Sequence, residues 1–308
     1  MSRTASLIVG LHTSIAGGLQ NAVIAAEEKG CDAFQIFARN PRGWLERPIG
    51  DDEIRSFRDA RERAGLWPLA IHSVYLINLA APDPLLLERS RLAFRQEIKR
   101  GLELGADYLV VHPGNPLMAP PEVGISTAVE SIRLAARGLK LLGAASTAKG
   151  AGKAGGLSIL IENTAGQGSS IGCTFDQVAD IIAALDDLPV DVCLDTQHTF
   201  ASGYDISTEA GLRSTVRAIK RTFGFDRIKL IHCNDSKVPL GSRVDRHQHI
   251  GLGHIGEEGF RLLTHNLKFR RVPFILETPI DREHDARWNI DRLRELASTQ
   301  NKNVARVR

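Results

Sequence analysis

Asp195 and His198 stand three residues apart where an apolar run, Val190 to Leu194, stops. A carboxylate and an imidazole at that spacing are two metal-ligand types on a single turn. Val190, Val192 and Leu194 alternate along the run, so it reads as a strand, with Asp195 at its carboxyl end and His198 in the loop that follows. In sheets and barrels built of βα units, reactive groups collect at that end of the strands.

The arrangement recurs. His12, His72, His112, Glu162, Asp195, His232 and Glu277 each lie just past an apolar run, and of the eight runs in the chain only the one ending at Phe37 lacks such a residue. A single histidine at a strand end is ordinarily a structural hydrogen-bonding group. Histidines and carboxylates from seven strand ends, converging on one mouth, need cations to be stable. Further along, Asp245, His247 and His249 alternate and would share one face of an extended segment, although a polar hairpin edge is the plainer reading. Nitrogen and oxygen donors of this kind suit zinc, manganese or iron better than copper or an iron–sulfur cluster. A tetrahedral site takes at most about four protein ligands, and this set is roughly twice that size, so more than one ion is expected. Ions paired roughly 3.5–4 Å apart activate water and clamp the attacking and leaving oxygens of an in-line displacement.

The elements that would position these residues alternate strictly. Strands are expected at 7–10, 33–37, 68–71, 108–111, 158–161, 190–194, 228–231 and 273–276. Helices are expected at 18–28, 52–64, 85–104, 125–141, 175–185, 209–221, 257–266 and 286–297. Repeated βα units imply a parallel sheet with right-handed crossovers, and eight of them in 308 residues favour a closed (β/α)8 barrel over an open doubly wound sheet. The reading is one α/β domain over residues 1–298, with a flexible small-residue insertion at 142–156 and a polar, basic tail at 299–308. Gly152 and Lys153 suggest a phosphate loop, but Ala154 and Thr147 replace residues that loop requires.

Thirty-nine Lys and Arg against thirty-six Asp and Glu leave a net charge of +3, which gives little long-range attraction for a polyanion unless the charge is clustered. Cys31, Cys173, Cys193 and Cys233 have no paired spacing, which argues against a disulfide framework and a thiolate zinc site and for a reducing compartment. No stretch approaches the ~20 apolar residues of a membrane span, and the opening run is too short for a signal peptide. A soluble cytoplasmic protein is expected, nucleoid-associated in a prokaryote.

Several longer motifs stand in order: HTSIAGGLQNA from His12, HSVYLINLA from His72, VVHPG from Val110, IENTAGQGS from Ile161, LDTQHTFASGYD from Leu194, IHCNDSK from Ile231, GSRVDRHQHIGLGHIG from Gly241 and ILET from Ile275. In that order and spacing the chain resembles the endonuclease IV family of metal-dependent apurinic/apyrimidinic endonucleases over essentially its whole length. The resemblance implies a (β/α)8 barrel with three metal ions, zinc with manganese sometimes present. It implies His72, His112 and Glu162 on one ion, and Glu162, Asp195, His232 and Glu277 on a second. His198, Asp245 and His247 would hold the third. Glu162 would be the bridge that positions a nucleophilic hydroxide for attack 5′ to an abasic site, leaving a 3′-OH. Arg42, Tyr75 and Leu76 match DNA-penetrating loop residues, and His12 is read as a residue that supports the ligands or faces the substrate rather than as a ligand. The implied partner is duplex DNA with abasic sites or blocked 3′ ends, bound by a monomer. Gln197, where a Cys is common, Leu252 in the glycine-rich loop and the length of 142–156 depart from the pattern without removing a ligand.

Two rival readings set the tests. A sugar isomerase or epimerase on the same barrel needs one metal and a set like Glu162, Asp195, His232 and Glu277, which leaves His72, His112, His198, Asp245 and His247 unexplained. A non-enzymatic DNA-binding module fits poorly with the modest charge and a clustered ligand set.

Overall fold

The computed structural model describes residues 7–44, 47–141 and 156–298. Among these, eight parallel strands close into a barrel: β1 (Val9–Thr13), β2 (Ala33–Phe37), β3 (Leu69–His72), β4 (Tyr108–Val111), β5 (Ser158–Glu162), β6 (Val190–Asp195), β7 (Ile228–His232) and β10 (Phe274–Leu276), with β10 hydrogen-bonded to both β7 and β1. Between β7 and β10 two short strands, β8 (Asp235–Ser236) and β9 (His247–Gln248), form an antiparallel pair at the mouth. The closed barrel, rather than the open sheet, is the architecture.

The helices α1 (Leu19–Glu28), α2 (Asp51–Ala64), α3 (Pro84–Leu104), α4 (Pro121–Ala136), α5 (Phe175–Ala184), α7 (Glu209–Arg221), α8 (Gly256–His265) and α9 (Ala286–Ser298) follow the expected order. The α3 boundaries follow from local chemistry. Asp83 accepts the Leu86 N–H at 2.7 Å, Pro84 opens the first turn, and Gly105 closes the last in the left-handed conformation. Ala93, Phe94, Glu97, Ile98, Gly101 and Leu104 recur at helical spacing on its buried face. Phe94 and Ile98 are fully enclosed, each contributing on the order of 1.5–3 kcal/mol.

Several elements differ from expectation. α4 begins at a proline pair rather than at Ile125 and stops at Ala136, because the chain turns at Gly138 with φ 73°. A short helix, α6 (Thr196–Ala201), stands where a loop was expected, so His198 is helical. His12, His72, Glu162, Asp195 and His232 lie within their strands rather than beyond them. The expected insertion, apart from Gly156, and the tail at 299–308 lie outside the described residues.

The core has two compartments. One lies between the barrel and the helices and holds Phe34, Ile36, Phe57, Phe94 and Ile98 among others. The second fills the barrel interior with Ala33, Ala70, Tyr108, Val110, Leu160, Cys193, Leu230 and Ile275. Successive strand residues alternate between these compartments. No helix among the described residues is long and apolar enough to cross a membrane.

Candidate metal centre

The interior layer dictates what stands above it. Two residues on, and so on the same face, Ala70, Val110, Leu160, Cys193, Leu230 and Ile275 are followed by His72, His112, Glu162, Asp195, His232 and Glu277. Ala33 is followed by Gln35. On β1 the lower position is Gly10, where a Cβ would strike the Ala33 carbonyl oxygen at 2.1 Å, and the upper one is His12. The ring of functional groups is therefore one layer of the barrel, at the carboxyl ends of its strands.

Glu162 sits near its centre. One carboxylate oxygen is 3.0 Å from His72 Nε2 and 2.9 Å from His112 Nε2, and the other is 3.0 Å from His232 Nδ1. His232 Nδ1 is also 3.3 Å from Glu277 Oε2. Asp195 directs one oxygen to the His198 backbone N–H at 2.7 Å and receives Asn234 Nδ2 on the other at 2.7 Å. Asp245, from the loop before β9, lies 3.3 Å from both His198 Nε2 and His247 Nε2. Donor atoms close enough to share an ion occur in the groups His72, His112, Glu162; Glu162, Asp195, His232, Glu277; and Asp195, His198, His247. All nine residues expected as ligands meet in this one region.

The second ring nitrogens are fixed as in a metal site. His72 Nδ1 donates to the Ser73 carbonyl at 2.7 Å, His198 Nδ1 to that of Asn163 at 2.9 Å and His247 Nδ1 to that of Glu277 at 3.3 Å. Each thereby turns Nε2 toward the carboxylates. His247 Nε2 and His12 Nε2 are buried without a hydrogen-bond partner. His247 Nε2, 3.3 Å from Asp245 Oδ1 and 3.9 Å from Asp195 Oδ2, is a bare, buried imidazole nitrogen facing carboxylates, which a cation would satisfy, so the donor set fits metal ions.

The electrostatics agree. Burial opposes charge on Glu162, yet His232 and His112 outweigh it and hold the carboxyl well below its ordinary range. Burial likewise opposes charge on His198, but Asp195, Asp245 and Glu162 raise it well above the usual histidine value. His72 is raised in the same way by Glu162 and Glu277. Asp245 is held down to about 2, against burial, by His198 and His247. The carboxylates thus favour the charged forms of His72 and His198, as cations in their midst would favour the charged forms of the carboxylates. Burial pushes the Cys193 thiol, beneath the ring, up to about 12, so it stays protonated and the donors are nitrogen and oxygen.

His12 keeps a supporting place: its Nδ1 is 3.2 Å from Glu277 Oε1 and 3.0 Å from Gln35 Nε2, and burial, partly offset by Glu277, lowers its pKa. His249 does not share the face of Asp245 and His247, because β9 ends at Gln248. Its Nδ1 accepts from Asn289 Nδ2 at 3.0 Å, so Nε2 carries the hydrogen donated to Asp281 Oδ2 at 3.0 Å. His249, Asp281 and His284 are close enough to suggest a further ion, but that hydrogen bond already uses the His249 nitrogen.

The mouth is a cavity of about 510 Å³ lined by His12, Phe37, His72, Tyr75, His112 and Glu277, among others. Tyr75 is 70% exposed, resting edge-on against Phe37, while Leu76 is half-buried and Arg42 exposed on the loop after β2. Core packing is therefore not the role of Tyr75.

Sequence reasoning missed four supporting side chains. Gln35 is fully buried among His12, His232 and Glu277. Asn163 accepts the Asp195 N–H, and Asn234 accepts the Glu277 N–H. Asp235 receives the backbone N–H groups of Gly251, Gly253, Ile255 and Gly256, so the glycine-rich loop wraps a carboxylate of its own chain. A Cβ at Gly253 would meet that carboxylate at 2.5 Å, which explains the glycine. The two-residue strand period is the signal that could have found Gln35; no local pattern marks the others.

Residues 23–296 match the family described as xylose isomerase-like TIM barrel. The chain is 42% identical over 295 residues to a protein of Solibacter usitatus named probable endonuclease 4, covering 95% of this chain and 97% of that one. It is 40% identical to one of the same name from Methanoculleus marisnigri, covering 94% and 99%. The crystal structure of endonuclease IV from Thermus thermophilus superposes with a TM-score of 0.77 at 36% identity, covering 94% of this chain and 98% of that one. A 3-keto-D-glucoside 4-epimerase from E. coli shares the fold alone, with a TM-score of 0.64 at 14% identity. With relatives this similar over nearly its full length, the chain belongs to the endonuclease IV family of xylose isomerase-like TIM barrels.

Proposed function

We propose that the protein is a DNA-repair endonuclease that hydrolyses the phosphodiester 5′ to abasic sites in duplex DNA, leaving a 3′-OH, and that it also removes 3′-blocking groups. The observation that carries this reading is the placement of Glu162 between two histidine groups, with Asp245 joining His198 and His247 beside them. A one-metal sugar epimerase has no use for the five residues beyond Glu162, Asp195, His232 and Glu277.

His72, His112 and Glu162 would hold one ion, Glu162, Asp195, His232 and Glu277 a second, and His198, Asp245 and His247 a third, zinc with manganese allowed at one or more sites. When bound, such ions offset the phosphodiester's negative charge and make water a competent nucleophile at neutral pH. The chain's own part is to hold the imidazoles through backbone carbonyls and the carboxylates through N–H donors from the His198 backbone, Asn234 and Gln35, so that no reorganisation is needed as charge develops.

Recognition is assigned to Arg42, Tyr75 and Leu76 on the loops after β2 and β3. An abasic nucleotide has no base to unstack, so a protein that opens the duplex selects it, and an exposed aromatic ring beside the cavity can fill the gap left in the stack. A monomer in a DNA-containing, reducing compartment completes the proposal.

The test is incubation of metal-replete protein with a duplex carrying one tetrahydrofuran abasic analogue. Incision on its 5′ side, abolished by a chelator and restored by zinc or manganese, is expected. No incision, together with metal-dependent epimerisation of a ketose panel, would replace this reading with the sugar-epimerase one.

A further inference from the structure

His72, His198 and His247 present Nε2 to the carboxylates because backbone carbonyls occupy Nδ1. His232 is reversed. Its Nδ1 faces Glu162 and Glu277, and its Nε2 lies 2.9 Å from Gln35 Oε1. The orientation of the Gln35 amide is settled by its neighbours. Glu277 Oε1, 2.7 Å away, can only accept, so the group facing it is the Gln35 NH2, and the amide oxygen must face His232. An amide oxygen can only accept, so His232 carries a hydrogen on Nε2 and Nδ1 is the nitrogen left for a cation.

Gln35 reaches these partners from β2, whereas His232 is on β7, with β1 and β10 standing between the two strands in the barrel. His12 closes the group, with Nδ1 3.0 Å from Gln35 Nε2 and 3.2 Å from Glu277 Oε1. The amide has no exposed surface and stands on the inward face of β2 above Ala33, where the barrel interior is otherwise apolar at the layer below. A buried polar side chain of this size, with both ends engaged, is costly unless its hydrogen bonds are needed.

We propose that Gln35 is a positioning residue for the ion held by His232 and Glu277: its oxygen fixes the His232 tautomer and its NH2 holds the Glu277 carboxylate. The inference rests on the metal-site reading above but not on the identity of the substrate.

The test uses full-length protein labelled with 15N at histidine. In the zinc-loaded parent, long-range 1H–15N correlation is expected to show one imidazole bound through Nδ1 with Nε2 protonated, against the opposite pattern for His72, His198 and His247. In Gln35→Met, which preserves length and removes both hydrogen bonds, that pattern should vanish or average between tautomers. Competition with a chromophoric chelator should show one ion weakened by about 10- to 100-fold and the others unchanged. Unchanged tautomer and affinities in a folded Gln35→Met protein would overturn the proposal.

Gln35→Glu keeps the acceptor toward His232 and sets a like charge against Glu277. It should therefore retain the Nδ1-bound pattern while one ion weakens, and it decides the matter if Gln35→Met does not fold; parental zinc affinity in Gln35→Glu would overturn the positioning role. These readouts need no DNA. A parent that binds its ions in this pattern but fails to incise abasic duplex would remove the proposed function and leave the Gln35 assignment standing.

Discussion

The His198 backbone N–H donates to Asp195 Oδ1 at 2.7 Å, so the residue that ends β6 also caps the helix that carries the next histidine. Cap and charge can be separated. Asn caps as well as Asp, whereas Ala does not. Asp195→Asn should keep a folded barrel and lose metal affinity. Asp195→Ala should lose metal affinity and the cap, with metal-free stability below the Asn variant by about 1 kcal/mol in urea titration. Equal stability of the two variants would show that the cap contributes nothing.

Glu162→Gln should fold and bind less metal, because an amide is a poor bridge between cations and screens their repulsion less. Abasic incision should fall by at least about 100-fold, the scale expected on removing one preorganised electrostatic group. Near-parental incision would end the bridging role.

Tyr75 and Leu76 separate recognition from chemistry. Their joint replacement by Ala should leave metal content unchanged and weaken abasic-duplex binding, because nothing then fills the opened stack. Hydrolysis of a short unpaired phosphodiester should stay near the parental rate. Equal losses on both substrates would assign these residues to the metal centre instead.

The loop bearing Arg42 starts from a buried ion pair. Arg39 Nε meets Glu97 Oε1 at 2.7 Å, and neither side chain is more than 4% exposed. Glu97→Ala leaves the guanidinium without that partner and should destabilise the fold by about 3–5 kcal/mol, measured by denaturant unfolding. A loss under about 1 kcal/mol would mean that the pair behaves like a surface one.

Asp205 supplies a pH dependence outside the metal centre. Burial would raise its carboxyl, but hydrogen bonds from Ser207 and Thr208 outweigh it and hold the pKa below the ordinary 3.8. A depressed folded pKa gives stability that is full above the unfolded value and lost as pH falls through the folded one. The stability gap between parent and Asp205→Asn should therefore be constant near pH 6 and shrink below about pH 4. A gap that widens on acidification would contradict that sign.

Much of this was legible in the sequence because two periodicities coincide. Apolar runs marked the strands, and abrupt stops at histidine or carboxylate marked the ends that share a mouth. β2 looked like the exception because its run ends at Phe37, whereas the inward position is Gln35, inside the strand. α6 was missed because TQHTFA is too short for helical periodicity, and its start is set by the Asp195 side chain. His249 was placed on the wrong side because alternation holds only while the chain stays extended, and β9 is two residues long. The roles of Asn163, Asn234 and Asp235 come from partners 16 to 43 residues away, which no local pattern encodes.

The apolar layer of Ala70, Val110, Leu160, Cys193, Leu230 and Ile275 lies directly beneath the ring of charged and polar groups. It insulates the foundation from the workshop above it. Stripping the ions should leave a closed barrel with a loosened rim, so chelation is expected to be reversible on re-addition of metal rather than a route to unfolding. By the same token, side chains of the upper layer can be exchanged without disturbing those that keep the barrel shut. The same fold carries an endonuclease IV in one solved structure and a 3-keto-D-glucoside 4-epimerase in another.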